Sequence, residues 1–266
     1  MAKPARLNAD AERFEEEDYT MSGHSKWHNI QRKKGKTDAA RGKTFTRLTR
    51  DIIVAARMGG GNPDSNIRLR YAIQKARESS MPADNIKRAV QRGTGEVAGV
   101  IYDEITYEGY GAGGVAVLVQ CMTDNKQRTV SDVRSYFTKT GGRLGENGSV
   151  SYLFEPKGVI EIEPGVTNED TLMELAIEAG ADDVQATEDG GFEITTGPGD
   201  LLGVQQALET AKIKYASAES VMDPVNTVEL SGKEAQQVIK LLELLEENDD
   251  VQNVYSNFET NDEEED

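Results

Sequence analysis

Residues 154–225 read FEPKGVIEIEPGVTNEDTLMELAIEAGADDVQATEDGGFEITTGPGDLLGVQQALETAKIKYASAESVMDPV, and this stretch sets the fold class. Apolar residues alternate or cluster near 158–163, 183–187, 192–196 and 215–221, as strands require. The apolar spacing of 168–179 and 200–211 is helical. Read in order, the segment is β-α-β-β-α-β, the ferredoxin-like pattern of two split βαβ units.

The flanks complete a second domain. Residues 100–108 and 115–122 are strand-like and are joined by the glycine-rich link 109–114. A helix is expected over 126–139. Downstream, 226–230, 231–246 and 251–257 give strand, helix and strand. Residues 96–153 and 226–258 are therefore expected to form a discontinuous α+β domain that carries the 154–225 domain as an insert.

Upstream of residue 96 the pattern changes to helices. Asp38 can cap a helix running to Met58, which Gly59-Gly60-Gly61 stops. Asn62-Pro63-Asp64 reads as the next helix start, with Leu69, Ala72, Ile73 and Ala76 on one face. Pro82 opens a third, with Ile86, Ala89 and Val90 inward and Gly93 at its end. The fold class predicted is α+β in three domains: a helical bundle at 21–95, the discontinuous domain, and the ferredoxin-like insert. Residues 1–20 are expected to be a flexible extension, and 259–266 an acidic tail.

Charge separates these parts. The net charge is −17, yet residues 21–95 hold 17 Lys/Arg against 5 Asp/Glu, a net +12. Residues 96–266 hold 10 against 36, a net −26. Such asymmetry points to polyanion contact by the head. On the first helix, Phe45, Leu48, Ile52, Ala55 and Ala56 share one face. Lys43, Arg47, Arg50 and Arg57 gather on the opposite one, where Val54 is the exception. Ahead of it, Lys26, Arg32, Lys33, Lys34, Lys36 and Arg41 form a basic arm around Trp27. Arg68, Arg70, Lys75 and Arg77 charge the second helix. Cations held on helices meet phosphates, and an aromatic can stack on an exposed base. These fifteen residues are the predicted nucleic-acid contacts. Because the −26 body would repel a polyanion, the head is expected to project away from it. Replacing Arg47 and Arg50 by Glu is accordingly expected to abolish binding and to leave thermal stability nearly unchanged.

Other classes find little support. His24 and His28 are spaced for one helix face, but no cysteine or carboxylate cluster accompanies them, so no metal is expected. The link 109–114 leads into a strand rather than a helix and reads as a turn, not a dinucleotide loop. With two histidines and one cysteine, nucleophile–base pairs are scarce, and the chain is read as a non-enzyme without cofactors. Cys121, alone, fits a reducing compartment. No stretch of about 18 apolar residues exists, so a cytoplasmic, membrane-free protein is expected, and no dimerisation element is evident.

Several motifs are similar to those of the YebC/PmpR family. They are Met21-Ser-Gly-His-Ser-Lys-Trp27, Gly59-Gly-Gly-Asn-Pro63, Met81-Pro-Ala-Asp-Asn-Ile86, Arg92-Gly-Thr-Gly-Glu96, Tyr107-Glu-Gly-Tyr-Gly111, and Thr123-Asp-Asn125 with Arg128-Thr129. The resemblance spans residues 21 to about 258 and implies the same three domains. It also implies a DNA-binding transcriptional regulator, or alternatively a ribosome-associated factor that touches ribosomal RNA and relieves stalled synthesis. In that alternative the acidic body would hold basic ribosomal proteins. A third class, an acidic adaptor for basic proteins, needs no nucleic acid. The sequence leaves the first two open.

Overall fold

A computed structural model describes residues 38–187 and 189–260 and confirms the mixed α+β class. The head is built from α1 (Asp38–Gly59), α2 (Ile67–Glu78) and α3 (Ala83–Gly93). Leu48, Ile52, Ala55 and Ala56 of α1 pack against Leu69, Ala72, Ile73 and Ala76 of α2 and against Ile86 and Ala89 of α3. Phe45 only borders this cluster and stays half-buried, whereas Ile52 is fully enclosed. Small residues let the helices cross closely. A Cβ on Gly93 would lie 2.5 Å from the Ile53 carbonyl oxygen, so α3 ends where only glycine fits.

The second helix does not start at Asn62-Pro63-Asp64. That segment is a turn, and the cap falls four residues later on Asn66. The Asn66 Oδ1 accepts from the Leu69 amide at 3.1 Å, while its Nδ2 donates to the carbonyls of Ala55 and Gly60, each at 2.8 Å. One buried side chain thus opens α2 and closes the end of α1, so it outcompetes the exposed Asn62 as a cap.

The central domain is a four-stranded antiparallel sheet. It contains β1 (Asp103–Tyr110), β2 (Ala116–Thr123), β3 (Arg143–Leu144) and β9 (Val251–Ser256), in the order β3-β1-β2-β9. The glycine link between β1 and β2 closes a hairpin through a short 3-10 turn, Ala112–Gly114. Two helices, α4 (Lys126–Lys139) and α7 (Gly232–Glu247), cover one face. Strand alternation sends Val117, Val119 and Cys121 into this layer, against Val133, Phe137, Leu241 and Leu245. A short parallel pair, β8 (Val228–Glu229) with β10 (Phe258–Glu259), ties the chain end to the start of α7. The acidic tail therefore does not begin at 259: Glu259 is in this pair and Thr260 is buried.

The insert comprises β4 (Phe154–Ile162), α5 (Glu169–Glu178), β5 (Ala181–Ala186), β6 (Phe192–Thr196), α6 (Leu201–Thr210) and β7 (Ser217–Pro224). Its strands are ordered β5-β6-β4-β7 and all pairs are antiparallel, the ferredoxin-like arrangement. Ile160, Ile162 and Ile194 face Leu172, Val204 and Leu208 of its two helices. A separate apolar cluster welds insert to central domain: Ala116, Leu118 and Tyr255 from one, Phe154 and Val221 from the other, with Val150 between them.

Glu108 braces the approach to this weld. Its carboxylate accepts from the amides of Gly148 (2.7 Å), Val150 (2.7 Å) and Ser151 (2.8 Å). Burial pushes this carboxyl up, but the three amides outweigh it and hold it below the usual range. Its folded pKa is thus below its unfolded one. The contribution is complete above the unfolded value of roughly 4.3 and is lost as pH falls through the folded value. Melting curves from neutral pH into acid should show a shallower acid-side decline in Tm for Glu108→Gln than for the parent.

Candidate nucleic-acid interface

The structure divides the fifteen predicted contacts into groups. Lys26, Trp27, Arg32, Lys33, Lys34 and Lys36 lie outside the described residues. Arg41 sits in the first turn of α1. The eight others are placed as follows.

Three of the four cations of the α1 stripe are engaged by the body. Lys43 Nζ donates to the Glu247 carbonyl at 3.0 Å and Arg47 Nη2 to that of Glu246. Arg50 Nη1 donates to the Asp249 carbonyl, to the Met122 carbonyl at 3.1 Å, and to Asp250 Oδ1 at 3.2 Å. Lys43 and Arg47 thus cap the C-terminal end of α7, where the last carbonyls lack intrahelical partners and the helix dipole is negative, while Arg50 reaches the residues just past it. Arg50 is only 12 % exposed, and Val54, one turn on, is 0 % exposed. Burial lowers the pKa of the Arg47 guanidinium, against the pull of Glu246 and Asp249. The head therefore docks on the body by the face expected to be free. The −26 body attracts these cations, and the expectation of a projecting head is corrected.

The second helix divides along its length. Arg68 pairs with Glu104, and Lys75 Nζ lies 2.7 Å from Glu219 Oε1 on β7 of the insert. Both face the body. Arg70 donates to the carbonyls of Pro63 and Asp64 and staples its own turn. Arg57 and Arg77 are exposed and form no ion pair among the described residues.

Three exposed cations escaped the sequence reading. At 100° per residue, Lys87, Arg88 and Arg92 fan across the face of α3 opposite Ile86 and Ala89. None is ion-paired among the described residues, and only Asp84 in the first turn opposes them. The signal was present in the sequence, since inward residues leave Lys87, Arg88 and Arg92 outward. With Arg57 they are the exposed cations of the head that line no cleft to the body, whereas Arg77 borders the cleft between α2 and α6 of the insert, beside Glu78 and Glu209.

The docking site on the body is a polar hub. Buried Asp250 accepts from Arg50 on one side. On the other it accepts from Arg128 Nη2 at 2.7 Å, from Thr129 Oγ1 at 2.8 Å and from Thr123 Oγ1 at 3.1 Å. Burial pushes the Asp250 carboxyl up, but these donors prevail and keep it below the ordinary carboxylate range. The Thr123-Asp-Asn125 and Arg128-Thr129 motifs thus build its socket, and Asn125 also caps α4 by accepting from the Arg128 amide. Cys121, beneath the sheet, is raised to about 12 by burial and by Asp250, so it stays a thiol. Among the described residues no group of His, Cys, Asp and Glu could hold a metal ion.

Comparison with known proteins bears on this architecture. A model described as the TACO1/YebC protein N-terminal domain matches residues 25–96, and one for the TACO1/YebC second and third domain matches residues 102–258. The chain belongs to the TACO1/YebC family. Relatives named "Probable transcriptional regulatory protein" are similar over nearly their whole length. The one from Pelotomaculum thermopropionicum is 57% identical, covering 91% of this chain and 100% of the relative. The one from Geobacter sulfurreducens is 54% identical, covering 92% and 98%. A solved structure, the conserved hypothetical protein Aq1575 from Aquifex aeolicus, is 49% identical with a TM-score of 0.78. The match covers 87% of this chain and 95% of that one. The boundary between the two family models falls in the linker that joins α3 to β1. TACO1/YebC relatives thus carry the name of regulators rather than of enzymes. Among the described residues, no helix is long and apolar enough to cross a membrane.

Proposed function

We propose that this chain regulates gene expression by binding nucleic acid through the outward surface of its head, with Arg57, Lys87, Arg88 and Arg92 on phosphates. One observation carries the reading. The cations of α1 and α2 that face the body are engaged there, whereas these four are exposed with no ion pair among the described residues. A solvated helix face normally mixes signs, and unopposed cations on a rigid bundle are the electrostatic footprint of a polyanion binder. The relatives' name points to transcription, and hence to DNA.

A salt series tests it. Four phosphates neutralised on duplex DNA give a slope of about −3.6 in log affinity against log salt. Arg88→Glu with Arg92→Glu should weaken binding and make the slope shallower by about 2. A double variant that binds with the parent's slope would remove α3 from the interface. The second reading, a ribosome-bound factor, is favoured by the exposed carboxylates of α5, Glu169, Asp170, Glu174 and Glu178, which offer basic ribosomal proteins a hold. Co-sedimentation with ribosomes, set beside the DNA titration, separates the two.

A further inference from the structure

Two of the three domains are joined by apolar packing, and the third is not. Phe154 and Val221 of the insert share a core with Leu118 and Tyr255 of the central domain. The head has its own core, which on the body side takes in only Tyr102, at the end of the linker. What holds the head closed is polar: Lys43, Arg47 and Arg50 on the end of α7, Arg68 on Glu104, and Lys75 on Glu219. A cavity of about 630 Å3 separates head from body between these contacts, lined by Arg47, Asp51 and Lys75 on one side and Gln120, Glu219 and Asn253 on the other. The linker contains Gly95 at φ +80° and runs exposed from Thr94 to Ile101. Polar, incompletely packed interfaces between domains are those that permit relative motion.

The acceptors in this interface resemble those of a nucleic-acid backbone. Carbonyl oxygens and a carboxylate take the guanidinium and ammonium hydrogens that phosphate oxygens would take. Exchanging one set of acceptors for the other leaves the hydrogen-bond inventory of the cations unchanged, so the closed and open forms can be close in free energy.

We propose that the head is a latch. In the closed form the end of α7 and Asp250 sequester Lys43, Arg47 and Arg50. A phosphate backbone that lands on the outer face of α3 draws the head off the body and recruits these three cations as further contacts. The closed form is therefore self-inhibited: with an open fraction f, the apparent dissociation constant exceeds the intrinsic one by 1/f. This inference rests on the reading of the head as a nucleic-acid binder.

Zero-length carbodiimide crosslinking of the full chain tests it. Lys75 Nζ and Glu219 Oε1, 2.7 Å apart, span the head–insert interface. Lys157 Nζ and Asp223 Oδ2, also 2.7 Å apart, lie within the insert and serve as the internal standard. The yield ratio of the two crosslinks, read by mass spectrometry, reports closure. Short duplex DNA, and single-stranded RNA in a parallel arm, should lower the ratio several-fold. Asp250→Asn should lower it with no nucleic acid present, where masking of Lys75 cannot mimic opening. The same variant should bind tighter, about ten-fold if the parent is open one-tenth of the time. A complex that forms while the ratio stays constant overturns the latch and leaves the proposed function standing. An Asp250→Asn chain that opens without binding tighter overturns the self-inhibition. An unchanged ratio in that variant shows that the hub does not hold the head. If neither parent nor variant binds either probe, the nucleic-acid reading falls and the latch falls with it.

Discussion

Asp250→Ala is expected to lower the stability of the folded chain by about 3–5 kcal/mol, the cost of removing one partner from a buried charge pair. The carboxylate is 5 % exposed and serves four donors from two domains: Arg50 from the head, and Arg128, Thr129 and Thr123 from around the start of α4. Its loss leaves the Arg50 guanidinium with carbonyl acceptors only, Met122 and Asp249, and no counter-charge, and leaves the two threonine hydroxyls without this acceptor. Arg50→Ala should cost less, since Asp250 keeps Arg128. Urea unfolding followed by far-UV circular dichroism measures both. If Asp250→Ala proves as stable as the parent within about 0.5 kcal/mol, as surface substitutions usually are, the hub is not structural.

Ile52→Ala should cost about 2–5 kcal/mol of head stability, because Ile52 is wholly enclosed among Leu69, Ala72 and Ile86 and its removal leaves a cavity. Phe45→Ala should cost only about 1–2 kcal/mol, because part of the Phe45 ring is already in water. From periodicity alone both residues sit on the same apolar face and would be ranked by size, with phenylalanine first. The structure reverses the order. Helix α1 enters the bundle only after its first turns, so Phe45 lies at the rim and Ile52 at the centre. Amide hydrogen exchange in residues 42–93 reads the two losses directly. Equal destabilisation would mean that the helix inserts deeper than the structure places it.

The class and most of the elements follow from local patterns. Alternation at 192–196, the helical spacing of 126–139 and the β-α-β-β-α-β order are local patterns, and a strand or helix with one apolar face has few ways to bury it. The cationic bias of residues 21–95 was equally plain. Where that charge points was not, because a lysine or arginine carries the same sign whether it meets water, a phosphate or a carbonyl. Lys43, Arg47 and Arg50 look like a free face until the end of α7, some two hundred residues away in the chain, is brought against them. One residue gave warning. Val54 continues the stripe 43–47–50 by one turn, and an apolar residue there is at odds with a solvated cationic face. It is fully buried. The converse held for Lys87, Arg88 and Arg92, whose outward placement follows from Ile86 and Ala89 alone. Which cations are consumed and which remain available is a property of domain docking, set by acceptors that are distant in sequence.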